Sequence, residues 1–320
     1  MGFNSFDTLI KCAALKRCVF FIGWVSIVLF TDSKNAKAQL LVNSDTLNKK
    51  RLITTASIAT AAYAGGMTGL NYLWYADYDH SEFHFFNDNN EWLQMDKLGH
   101  TFSSYYISKV GYQSLRWCGL NNRKATWYGA GYSLLFMTTI EVFDGFSEEW
   151  GFSKGDMVAN ISGTALMTAQ QLLWKEQRIE LRFSYHATSY AQLRPDVLGE
   201  TPAQRLFKDY NGQTYWMSGN IHSFLRKDSG FPKWLNIAVG YGADGMTGGT
   251  SNPDSINGLP APYYERTRQF YIAPDINLAK IKTRSRLVNS IFGFIGFIKV
   301  PMPTVEFGSN GKVKFYPFYF

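Results

Sequence analysis

The sequence predicts an α+β protein, an N-terminal bundle of about four hydrophobic helices followed by a β-rich C-terminal region. Three observations carry this expectation. Between Arg51 and Trp174 uncharged runs recur at helix length, and beyond Gln177 the texture breaks into short alternating runs divided by Gly, Pro, Asn and Asp, which is how strands and turns read. Asn310-Gly311 then stands between two such runs as the two-residue type I′ turn of a hairpin, both residues tolerating positive φ. With 320 residues, 46% of them hydrophobic, the chain can bury a large core, which excludes disorder, collagen-like repeats and disulfide-stapled miniproteins. Only 18% of residues are charged and 17% are aromatic, against about 25% charged in ordinary soluble domains. Part of the surface is therefore expected to face lipid.

Residues 1–38 read as a signal peptide. Lys11, Lys16 and Arg17 precede the uncharged residues 18–30, and Ala36 and Ala38 supply the small residues that a cleavage site requires. The apolar stretch extends about 20 Å as a helix, short of the roughly 30 Å of bilayer hydrocarbon, so cleavage after Ala38 is expected rather than anchorage. Export removes Cys12 and Cys18, leaves Cys118 alone and makes an internal disulfide impossible. No cysteine follows the apolar stretch, so lipid attachment is not expected. Residues 1–38 hold five basic and two acidic residues, which reduces the net charge from +7 to +4. That excess is too mild for nucleic acid. Residues 39–176 then form the helical domain and residues 177–320 the β-rich region.

Residues 53–76 are uncharged and long enough for a bilayer, but Thr54, Thr55, Ser57, Thr60, Gly65, Gly66 and Gly69 dilute them. Small residues at this density suit close helix packing in a membrane or in a buried core. Further helices are expected at 96–117, 124–142 and 155–174. Their uncharged cores, 125–140 and 157–174, are marginal for a span, and Lys109 interrupts the second helix. A bundle lying in or against a membrane, partly inserted or not, is the reading; a soluble all-protein core is the alternative. Strands are expected at 179–186, 235–241, 269–278, 304–307 and 312–320, with Pro317 marking an edge or a bulge. An aromatic C-terminus is common in outer-membrane barrels, yet five strands fall short of the eight in the smallest, so a closed barrel is not expected. Residues 244–266 read as a mobile loop.

Polar residues gather where the helices end. Asp96, Lys97 and His100 open the second helix, Glu141 and Asp144 close the third, and Asp156 and Asn160 open the fourth. If successive helices run antiparallel, all seven lie at one pole. His100, Glu141, Asp144 and Asp156 are the candidate catalytic residues and candidate metal ligands; Asp96, Lys97 and Asn160 are candidate binding residues. Such a donor set accepts a divalent cation, and a carboxylate beside it can take a proton from water. The alternative is structural: Ser153 and Asp156 fit a capping box, Asp96 suits a helix start, and His100 or Lys97 compensates Glu141 and Asp144. No HExxH, nucleophile elbow, P-loop or CxxC accompanies the cluster.

The segments DKLGHTFSSYY at 96–106 and EVFDGFSEEWGFSKGDMVANISG at 141–163 resemble the YfiM-like family of predicted periplasmic lipoproteins, a domain of unknown function, over roughly residues 50–175. More distantly they are similar to VanZ-like membrane proteins. The family's pattern falls on the same seven residues. The resemblance implies an exported protein of a Gram-negative-type envelope, in the periplasm or a membrane, and supplies no reaction. The chain departs from it by lacking a lipobox cysteine and by its β-rich extension, in which LRFSYHATSYAQLRPDVLGE and KDYNGQTYWMSGNI are aromatic-rich surfaces for lipid, sugar, a partner or packing. Three readings follow: a non-enzymatic envelope protein whose cluster is a structural network or an ion site, a membrane-proximal hydrolase or transferase acting on a lipid or glycan headgroup, and a binding module using the aromatic C-terminal region. A membrane or envelope component is the expected partner.

Overall fold

A computed structural model describes residues 43–71, 79–226 and 228–320. The expected signal peptide lies outside the described residues, as do residues 72–76 of the first uncharged run. The described residues form two units: 43–71 and 79–84 with 109–152, and 85–108 with the described residues of 153–320.

The first unit contains α1 (Lys49–Leu70), the C-terminal part of α2 (Met95–Trp117) and α3 (Asn122–Gly145). Asn48 and Asn121 cap α1 and α3, accepting from the amides of Arg51 and Lys124, so otherwise orphaned first-turn donors are satisfied. Small residues let the helices approach: a Cβ on Gly111 would lie 3.0 Å from the Gly129 Cα. Polar groups join them, with the Tyr132 hydroxyl donating to the Ala59 carbonyl at 2.9 Å and the Tyr63 hydroxyl 2.8 Å from that of Thr139. Cys118 is fully buried, its sulfur 3.2 Å from Thr55 Oγ1. Among the described residues no helix is long and apolar enough to cross a membrane. The Thr and Gly content of α1 is the physical reason, and the expectation of inserted helices gains no support.

The second unit joins the N-terminal part of α2 and α4 (Lys154–Leu173) to a six-stranded sheet. The strands are β1 (Ile179–Tyr185), β2 (Gln213–Asn220), β3 (Leu235–Asp244), β4 (Thr267–Ile276), β5 (Met302–Gly308) and β6 (Val313–Tyr319). They pair antiparallel in chain order. Five correspond to expected strands; β2 was not expected, and it lies within the aromatic-rich segment KDYNGQTYWMSGNI. The hairpin at Asn310-Gly311 forms by a longer turn than the two-residue one. Gly311 alone takes positive φ (79°), its amide donates to the Gly308 carbonyl, and the Gly308 amide donates to that of Lys312, a type I turn followed by a glycine bulge. Pro317 sits in a register shift between Tyr316 and Tyr319 on the edge strand, as its missing N–H requires. Residues 244–266 hold a short hairpin, Ser255–Ile256 against Leu259–Pro260, with Asn252 Nδ2 donating to the Gly245 carbonyl at 2.7 Å.

One face of the sheet is buried and polar. Arg182 donates to Glu180 (2.9 Å) and Asp275 (3.3 Å), Ser218 donates to Asp275 (2.6 Å), and Lys299 Nζ lies 3.6 Å from Asp275. Burial pushes the Lys299 ammonium down, with Asp275 opposing the shift. The sheet curls until the Tyr319 hydroxyl on β6 meets Thr214 on β2 at 3.0 Å. On the opposite face α2 covers β1 and β2, where the Phe102 ring packs 5.8 Å from Phe183 and 5.7 Å from Tyr215. Helix α4 lies tightly against α2, since a Cβ on Gly163 would come 2.0 Å from the Thr101 carbonyl oxygen.

Candidate functional site

The site is built where α2 and α4 begin. Ser153 caps α4, accepting from the Asp156 amide at 3.0 Å, as the sequence suggests, and the Asp156 carboxylate faces α2. In α2 the i, i+4 spacing sets Asp96 and His100 on one face. Asp96 Oδ1 and Asp156 Oδ1 lie 3.7 and 4.0 Å from His100 Nε2. On the far side of the ring His100 Nδ1 lies 3.1 Å from Asn160 Oδ1. That contact orients the imidazole so that Nε2 faces the two carboxylates. Lys97 Nζ stands among the acids, 2.8 Å from Asp156, 3.5 Å from Asp96 and 2.7 Å from Asp88.

Five of the seven expected residues, Asp96, Lys97, His100, Asp156 and Asn160, thus meet within the second unit. Glu141 and Asp144 end α3 in the first unit, Glu141 buried and Asp144 partly so. Three further participants carried no sequence signal. Asp88 pairs with Lys97 and accepts from Ser153 Oγ at 2.6 Å. Tyr210 donates to Asp96 Oδ1 at 2.8 Å, from within the aromatic-rich segment at 208–221. Glu91 adds a fourth carboxylate, pushed up by burial and by the charges of Asp88 and Asp96.

A backbone turn sets Asp88 and Glu91 against the helix. Trp92, Leu93 and Gln94 all take positive φ (47°, 50° and 65°), a left-handed conformation costing about 1–2 kcal/mol per residue. Hydrogen bonds hold it: the Trp92 amide donates to the Gly249 carbonyl (2.9 Å), Tyr241 to the Leu93 carbonyl (2.6 Å), and Arg268 to Gln94 Oε1 (2.8 Å). Strain of this kind persists only where surrounding contacts over-determine it, and it concentrates at functional sites.

Electrostatics follow from crowding. Burial and the charge of Asp96 push the Asp156 carboxyl up to about 8, with His100 and Lys97 opposing. Burial also acts on Asp88, yet bonds from Asp156, Lys97 and Ser153 hold its pKa below the usual value. For Lys97 the cost of burial is outweighed by Asp96 and Asp156, so its pKa is raised. In cation-free protein, folded Asp156 binds a proton more tightly than the unfolded residue does. Its contribution is therefore present below the unfolded value of 3.8 and is lost as pH rises toward about 8. Denaturant melts of cation-free protein at pH 5 and pH 8 should show stability falling over this window, and Asp156→Asn should flatten the fall. An equal slope in that variant would remove Asp156 as its source.

Three ligand atoms, one each from Asp96, His100 and Asp156, lie within 4.8 Å of one another. Metal bonds of about 2.0–2.2 Å separate donors by about 3.4 Å at a tetrahedral angle and by up to about 4 Å at wider ones. The two imidazole–carboxylate separations fall in that interval or at its margin. Four carboxylates, Asp88, Glu91, Asp96 and Asp156, crowd one ammonium, Lys97, and a bound cation would relieve the repulsion that raises the Asp156 pKa.

An antiparallel sheet backing two helices that present an Asp/His/Asp cluster defines the protein's class as α+β. Residues 83–172 match the family described as "Predicted periplasmic lipoprotein (DUF2279)". The resemblance read from the motifs is borne out over this span, which holds all seven expected residues and Asp88, and the family's description is consistent with an exported protein of the periplasm or envelope. No curated protein and no solved structure matches the chain.

Proposed function

We propose that this envelope protein holds one divalent cation of the zinc type through Asp96, His100 and Asp156. The observation that supports this most directly is the imidazole itself. Its Nδ1 lies 3.1 Å from Asn160 Oδ1 and its Nε2 faces Asp96 and Asp156 oxygens at 3.7 and 4.0 Å, and one donor atom from each of the three residues lies within 4.8 Å of the others. A metal-ligating histidine is held from behind in this way. Lys97 and Asp88 limit the charge around the ion, and Tyr210 orients Asp96. Glu141 and Asp144 are acidic residues of the first unit with no assigned ligand role.

Elemental analysis of the purified chain, with calorimetric titration of zinc into chelator-stripped protein, tests the proposal. His100→Gln and Asp156→Asn should each weaken zinc at least about 100-fold, and zinc at 100 times its dissociation constant should add about 2.7 kcal/mol of stability. If zinc leaves the wild-type melt unchanged and no ion copurifies, the cluster is a structural network instead.

A second reading rests on a different feature. A cleft of about 330 Å³, lined by Phe85, Phe86, Asn87, Asn89, Lys154 and Gly155, is bounded by residues flanking Asp88 and Asp156 in the chain. A hydrolase or transferase would seat a lipid or glycan headgroup there. Headgroup release from phospholipid vesicles, lost in His100→Gln with an unchanged melt, is the outcome that supports it.

A further inference from the structure

The buried face of the sheet holds charges, Arg182 at 1% exposure and Asp275 and Lys299 at 0%, beside the core cluster of Trp216, Tyr271 and Tyr319, while its other face is apolar. Following the pairing from β1 to β6, one row on that second face runs Leu181, Met217, Val239, Ile272, Val305, Phe315. The next runs Phe183, Tyr215, Tyr241, Phe270, Phe307, Val313. Neither row contains a charged residue. Helix α2 shields the β1 and β2 end. Beyond it the face is bare, with Met217 47%, Val239 52%, Ile272 48% and Phe315 65% exposed.

A half-solvated antiparallel sheet ordinarily turns polar side chains to water. A bare apolar face on a sheet whose charged side chains are held inside is instead the arrangement of a sheet against hydrocarbon. On β3 the bare positions of this face are Leu235, Ile237 and Val239, a run of about 13 Å at roughly 3.3 Å per residue; Tyr241 and Ala243 continue the row where Met95, Trp92 and Leu93 cover it.

A second, separate element points the same way. Helix α5 (Arg286–Phe294) leaves Leu287, Ile291 and Phe294 exposed on one side, the i, i+4, i+7 stripe of a helix lying in an interface. Ahead of it stand Lys282 and Arg284, both exposed, and Lys280, which also pairs with Glu176 at 3.7 Å, cations placed as anionic headgroups would require. Just after α5, the Lys299 amide donates to the Phe183 carbonyl on the open edge of β1, occupying one backbone group that hydrocarbon would otherwise leave unsatisfied.

We propose that the bare outer face of the sheet is seated against the acyl chains of a bilayer, with α5 and its basic approach at the headgroup level. The cation site plays no part in this seating, so either proposal stands without the other.

The test uses the full chain and vesicles of phosphatidylethanolamine and phosphatidylglycerol. An environment-sensitive nitrobenzoxadiazole label on Val239→Cys should shift to the blue when vesicles are added, whereas the same label on Asn310→Cys, at the exposed hairpin tip, should not move. Val239→Lys should reduce the fraction floating with vesicles about tenfold or more while the near-ultraviolet spectrum stays native. Should that variant fail to fold, the label at 239 decides alone. The proposal is overturned if the label is unmoved by vesicles, or if it shifts with protein concentration in their absence. The latter outcome would assign the face to a second copy of this chain.

Discussion

Replacing Arg182 by alanine is expected to cost about 3–5 kcal/mol of unfolding free energy, read as a lower denaturant midpoint with an unchanged slope. The guanidinium is almost fully buried and binds two carboxylates, Glu180 at 2.9 Å and Asp275 at 3.3 Å. Removing it leaves both acids in the sheet interior without their shared cation. Glu180 keeps Asn277 (2.9 Å), and Asp275 keeps Ser218 (2.6 Å) and the more distant Lys299, so the loss falls toward the lower end of the range. Arg226, exposed beside Asp228, is the control. Its replacement by alanine should change stability by less than about 0.5 kcal/mol, because exposed pairs are screened. Equal losses at the two positions would mean that the interior network contributes nothing special.

The same network explains which parts of the fold were legible. The start of α4 was readable because a cap is local: Ser153 announces it wherever the rest of the chain lies. Strand β2 was hidden because sequence patterns seek apolar residues on the buried side. Here Thr214, Ser218 and Asn220 point inward with Trp216, while Met217 points outward. The hairpin was legible from Asn310-Gly311, but its turn type depended on which residue takes positive φ. The left-handed run at Trp92, Leu93 and Gln94 had no signal at all, since none of these residue types favours it. Five of the eight residues of the candidate site followed from helix positions. Asp88 and Tyr210 did not, because a long-range partner leaves no trace in the local period.

Gly163→Ala is expected to destabilise the second unit by about 3 kcal/mol, the upper part of the overpacking range. A Cβ there would meet the Thr101 carbonyl oxygen at 2.0 Å and Ser104 Oγ at 2.3 Å. A side-chain hydroxyl can rotate away; a backbone carbonyl inside α2 cannot. Alanine's better helix propensity returns about 1 kcal/mol and does not reverse the sign. Because α2 carries His100 and α4 carries Asp156 and Asn160, forcing the helices apart should also weaken zinc binding in the folded fraction. Gly131→Ala makes the contrast, since nothing lies within 4 Å of its added Cβ. That change should be neutral or stabilising by up to about 1 kcal/mol. Thermal melts of the two variants moving in the same direction would contradict the close approach of α2 and α4.

The buried sulfur of Cys118 bears on life in an oxidising compartment. A solitary exposed thiol there invites mixed disulfides with passing partners. Enclosed beside Thr55 at zero exposure, this one is withheld from such exchange while its surroundings stay folded, so redox inertness comes from packing rather than from pairing.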